Sequence, residues 1–104
     1  MGPITTELIE VLKQLVEILE SANECHWSEI LKKSKLRIEK SDYSGIEMLL
    51  GSYGGMGSFN DLIIYQPSGL GEVKFTRDEI KANEELDKLR KKAWDLAENI
   101  KRKQ

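Results

Sequence analysis

The sequence predicts a mainly α domain with a minor β element: four helices in one compact unit over residues 1–104, with a short β-hairpin between the third and fourth helices. Three observations predict it. Apolar residues recur at helical spacing through residues 8–22 and again through 86–100. The stretch between, residues 51–65, sets Gly51, Gly54, Gly55 and Gly57 ahead of an apolar run. With 104 residues and 39% hydrophobic content, the chain is long enough to close one core and too short for a second.

The first helix opens at Pro3 and the Thr5-Thr6 pair, with Glu7 and Glu10 placed where carboxylates favour a helix's positive end. Leu8, Ile9, Val11, Leu12, Leu15, Val16, Ile18, Leu19 and Ala22 then share one half of the helical wheel, opposite an acidic outer face. An arc that broad meets more than one neighbour, which calls for a multi-helix packing rather than a narrow two-helix seam. Asn23 is expected to cap a second helix running to about Glu39, with Trp27, Ile30, Leu31, Ser34 and Ile38 on its apolar stripe and bases on its other side. Ser41 and Asp42 offer caps for a short third helix, whose face carries Tyr43, Ile46, Leu49 and Leu50, and Gly51 is placed to end it.

Residues 61–65 read as a strand, 67–71 as a Pro-Ser-Gly turn and 72–76 as a return strand. An isolated hairpin is marginal in water, so this one is expected to pack on the helices through Leu62 or Ile64. The fourth helix starts between Thr76 and Asn83 and continues to about Arg102. Its buried stripe is Leu86, Leu89, Ala93, Leu96, Ala97 and Ile100, with Trp94 at the margin.

The glycine-rich run invites comparison with phosphate cradles, where backbone N–H groups converge on an anion. Nucleotide loops, however, follow a strand and open a helix; this one follows a helix and opens a strand, and it contains no lysine. It is better read as an architectural loop, Gly54, Gly55 and Gly57 supplying unusual backbone angles and Asn60 or Asp61 bonding the local main chain. Met56 and Phe59 are expected to pin it to the core. No reaction is identifiable. One cysteine, Cys25, and one histidine, His26, cannot assemble a zinc site, and neighbours on a helix point about 100° apart, too far for a nucleophile–base pair. Packing and capping at a helix start is the expected role of both. Neither a catalytic residue, nor a metal, nor a cofactor is expected. With no signal-like start and no long apolar block, the chain is expected to be cytoplasmic and not a membrane protein.

Net charge is only −2, but it is distributed in blocks. Residues 1–31 hold six acids against Lys13, and 32–40 hold five bases against Glu39. Residues 41–87 hold nine acids against three bases, and 88–104 hold seven bases against Asp95 and Glu98. Such blocks are commonly no more than solvated helix faces, but they also leave room for docking on an oppositely charged partner.

The run from Tyr53 through Gly54-Gly55-Met56-Gly57-Ser58-Phe59-Asn60-Asp61 to Leu62, with Cys25-His26-Trp27 upstream and Asn83, Leu86, Leu89, Arg90, Trp94, Leu96 and Ala97 downstream, resembles DUF6966, a family of small bacterial proteins of unknown function. The resemblance, together with size and acidity, implies similarity to immunity proteins of contact-dependent inhibition systems: a binder whose shared motif is scaffold and whose partner choice lies in exposed side chains. The expected function is therefore neutralisation of a cognate toxin, a nuclease being the fitting class, by covering its active site. An acidic helical surface imitates the phosphates that a nuclease cleft attracts. Candidate surfaces are Glu10, Glu17 and Glu20 on the first helix and, preferred, Asp78, Glu79, Glu84, Glu85 and Asp87 entering the fourth, with Tyr65 and Leu70 as anchors. The alternative is nucleic-acid binding by Lys32, Lys33, Lys35, Arg37 and Lys40 together with Lys88, Lys91 and Lys92, which requires those segments to lie side by side and runs against the acidic overall balance.

Overall fold

A computed structural model describes residues 2–54, 59, 62 and 77–103, with the backbone alone at 77–79. It holds four helices: α1 (Pro3–Ser21), α2 (Cys25–Glu39), α3 (Ser44–Gly51) and α4 (Arg77–Arg102). The mainly α prediction is met. Among the described residues no strand occurs, and the hairpin expected over 61–76 lies outside them except for Leu62.

α1 is the central element. It packs on α2 along one side and α4 along the other, while α3 bridges α2 and α4, so the apolar arc of α1 does meet two neighbours. Leu8, Val11, Leu12, Leu15, Val16 and Leu19 supply its buried face. They join Leu31 and Ile38 of α2, Ile46 and Leu49 of α3, Phe59, and Leu86, Leu89, Ala93 and Ala97 of α4 in one core. Burying a leucine or isoleucine side chain contributes about 1.5–3 kcal/mol, so this cluster is the main source of stability.

The helix ends depart from the sequence expectation in an instructive way. α1 begins at Pro3 behind Gly2 with no side-chain cap and no acid in its first turn, so Glu7 lies too far along to act on the helix's positive end. Asn23 does not cap α2. It takes φ 60° just beyond the C-cap of α1, where its N–H donates to the Glu20 carbonyl and the following Glu24 N–H donates to that of Leu19. This pair of bonds is the Schellman arrangement, which needs a left-handed residue and accepts Asn after Gly. α2 ends the same way. Ser41 has φ 59° and its N–H donates to Ile38, while the Asp42 N–H donates to Arg37. Tyr43, rather than Ser41 or Asp42, holds the N-cap position of α3; Asp42, one residue earlier, accepts the Ser44 N–H on its carboxylate at 3.0 Å. Hydrogen bonding from the Ser44 side chain, then from its N–H, with the nearby Arg37 charge, holds the Asp42 carboxyl below the ordinary carboxylate range.

α3 sits close on α2 because Gly45 has no side chain. A Cβ there would stand 2.7 Å from the Ser34 carbonyl oxygen and 2.9 Å from Arg37 Cβ and Ile38 Cγ1. Ser34 is fully buried at this contact, and its Oγ has no hydrogen-bond partner among the described residues. Gly51 is the last residue of α3, followed by Ser52 in ordinary helical geometry. Cys25 and His26 begin α2 but are exposed, and no side chain caps that helix, so the expected packing and capping roles do not apply; the His26 ring meets Trp27 edge-on.

Candidate functional site

The most elaborate local structure lies where the glycine-rich segment meets α4. Its centre is Arg90, the one buried arginine among the described residues. Three turns of α4 place Leu86, Arg90, Ala93 and Ala97 at spacings of four, three and four, so Arg90 falls within the helix's buried arc. A guanidinium there needs acceptors. Nη1 donates to the Phe59 carbonyl at 2.7 Å and to the Leu62 carbonyl at 2.9 Å, and Nη2 donates to the Asp87 carboxylate. The guanidinium carbon also lies 5.7 Å from the centroid of the Phe59 ring. A planar fork of donors suits this task, because one group satisfies two backbone carbonyls and one carboxylate.

Aromatic rings complete the arrangement. Phe59 is fully buried, as expected of a residue pinning the loop, and packs against Trp27 at 5.4 Å and edge-on to Tyr53 at 5.6 Å between centroids. Tyr53 in turn lies 5.1 Å from the Trp94 ring. Its hydroxyl donates to the Arg90 carbonyl at 2.6 Å, and burial pushes its ionisation well above the usual phenol range. The Phe59 N–H donates to the Ser52 carbonyl at 2.9 Å. The glycine-rich segment is thus tied at its start through Tyr53 and at Phe59 and Leu62 through Arg90. Gly54 is exposed, without left-handed φ, and a Cβ on it would meet only the Gly51 carbonyl at 3.9 Å. Gly55, Met56, Gly57, Asn60 and Asp61 lie outside the described residues.

Beside this anchor runs a cleft of about 370 Å³ lined by Tyr53, Asp87, Arg90, Lys91 and Trp94. Trp94 is half-buried at the edge of the core, where the helical pattern put it. The role of Arg90 was not predicted. The available signal was its position within the apolar arc of α4, where a charge without a buried partner would be costly.

Of the proposed partner-binding residues, Glu84 and Glu85 are exposed on α4 and form no ion pair among the described residues. Asp87 is also exposed but already engages Arg90. Only the backbone of Asp78 and Glu79 is described, and Tyr65 and Leu70 lie outside the described residues. On α1, Glu10, Glu17 and Glu20 are exposed, and Glu20 pairs with Lys32 at 2.6 Å, which raises the lysine's pKa. The two basic segments are not brought together: α1 lies between α2 and α4, which share no extended contact. Three of their lysines face acids, Lys32 on Glu20, Lys35 on Glu39 and Lys92 on Glu7.

Fold and site define a small helical domain with a loop anchored on an internal arginine. Residues 20–70 match the family model of a domain of unknown function, DUF6966, which supports the family assignment. The match takes in α2, α3 and the glycine-rich segment and stops short of α4. No curated protein and no solved structure matches the chain. No helix among the described residues is long and apolar enough to cross a membrane, and none of their His, Cys, Asp and Glu side chains cluster as a metal site.

Proposed function

We propose that this chain is an immunity-type protein that binds and neutralises a cognate toxin, with a nuclease as the fitting class. The observation that carries this reading is the acidic start of α4, where Glu84 and Glu85 stand exposed with no ion pair among the described residues. Carboxylates held exposed on a rigid helix suit an interface in which charge steers the encounter with a basic partner. The core and the Arg90 anchor then serve as scaffold. The experiment is co-expression with a toxin encoded beside this chain: protection of the cells and a stable complex on gel filtration are expected. Association should slow with rising salt and with charge reversal at Glu84 and Glu85. Absence of both binding and protection would overturn the reading.

A further inference from the structure

We propose that the cleft on α4 is a binding site for an aryl carboxylate, the aromatic ring seated against Trp94 and Tyr53 and the carboxylate on the Lys91 ammonium. Asp87, Arg90, Lys91 and Trp94 stand at i, i+3, i+4 and i+7, so one stripe of a regular helix presents all four to the same space. The volume, about 370 Å³, lies within the range of small-ligand pockets.

The charges choose the ligand. Asp87 is satisfied by Arg90, and the donors of Arg90 go to the Phe59 and Leu62 carbonyls, so these two opposite charges largely cancel in place. Lys91 is exposed with no ion pair among the described residues, which leaves one accessible cation among the described residues of the cleft. The tilted Tyr53 and Trp94 rings form the apolar wall, and the Tyr53 hydroxyl is turned into its bond with the Arg90 carbonyl. A ring with an anionic arm matches wall and cation together, whereas a ring with a cationic arm meets the like charge of Lys91. The site is independent of the toxin-binding reading, which concerns the carboxylates at the start of the helix.

The indole N–H resonances test this directly. The chain has two tryptophans, and Trp94→Phe assigns which signal belongs to Trp94. Titration with phenylacetate should shift the Trp94 signal saturably, with affinity about fivefold or more above phenylacetamide, and phenethylammonium should bind less than either. In Lys91→Gln, phenylacetate should fall to the level of the amide while the melting temperature stays unchanged, because Lys91 is exposed. The same carboxylate chemistry occurs free or at a peptide terminus. Tighter binding of Gly-Gly-Phe than of phenylacetate, lost on C-terminal amidation, would assign the site to a chain terminus; the reverse order would assign it to a free acid. Equal affinity for the three phenyl probes, a carboxylate preference that survives Lys91→Gln, or shifts confined to Trp27 would each overturn the proposal.

Discussion

Replacing Arg90 by methionine keeps a long apolar stem in the α4 arc and removes every donor. The Phe59 and Leu62 carbonyls then lose bonds of 2.7 and 2.9 Å to a side chain only 8% exposed. Bonds to a charged group contribute about 1.5–3 kcal/mol each, and packing by the methionine together with the relieved desolvation of the guanidinium returns part of that. The pair with Asp87 adds less than about 1 kcal/mol, because its carboxylate is 68% exposed and screened by water. A net loss of about 2–4 kcal/mol is expected, which lowers the melting temperature of a domain this size by about 10–25 °C. Thermal and urea denaturation followed by far-UV circular dichroism measure it, and an unchanged urea m-value would show that the denatured state was not the source. Arg90→Lys should recover less than half, since an ammonium cannot reproduce the fork. If Arg90→Met melted within about 2 °C of the parent, the guanidinium would not be the anchor described above.

Gly45→Ala should destabilise by about 1–3 kcal/mol, because the new methyl would stand 2.7 Å from the Ser34 backbone oxygen, more than offsetting the better helix propensity of alanine; a neutral result would refute the close α2–α3 approach. At the same contact Ser34→Ala should stabilise by about 1 kcal/mol by deleting a buried hydroxyl without a partner among the described residues, and chemical denaturation would reveal a loss if that hydroxyl were bonded in solution. Asn23→Gly and Ser41→Gly should each raise stability by about 0.5–1 kcal/mol because both native residues hold left-handed backbone, and a lowered melting temperature would show that the helix ends are built otherwise. Asp42→Ala should lower the melting temperature at neutral pH. The native carboxyl titrates below its ordinary value, so its contribution is present above that value and is lost as pH falls through the lowered one. The deficit should therefore shrink in acid, and a deficit independent of pH would mean the carboxylate is not its origin.

The broad arc of α1 and the stripe of α4 were legible because burial imposes a period on many residues at once, and that redundancy fixes a helix and its face. Helix ends offer no such redundancy. Asn23 suits the start of α2 by sequence and instead closes α1, since a short polar side chain favours both an N-cap and a left-handed C-terminal position. Ser41 shows the same ambiguity, while the Asp42 carboxylate does find a backbone N–H two residues on, from one residue before the N-cap. Trp94 could be placed at the margin of the core from its angle on the wheel alone. Arg90 could not be given partners, because its acceptors are main-chain carbonyls 28 and 31 residues away, and a carbonyl leaves no mark in the sequence.

That dependence on distant main chain bears on how far the structural unit extends. Tyr53, Phe59 and Leu62 lie within the residues that match the family model, whereas Arg90 and Trp94, which hold and cover them, lie beyond it. Cut at residue 70, the chain would keep the Phe59 ring with no guanidinium over it and leave the Leu62 carbonyl without the donor it has here. It would also lose Leu86, Leu89, Ala93 and Ala97 from the core that α1 closes. An orphaned buried carbonyl and an open apolar face each cost more than a small domain can spare. The structural unit therefore extends through α4, and the helix that anchors the glycine-rich segment is the same one that presents the exposed acids and the cleft.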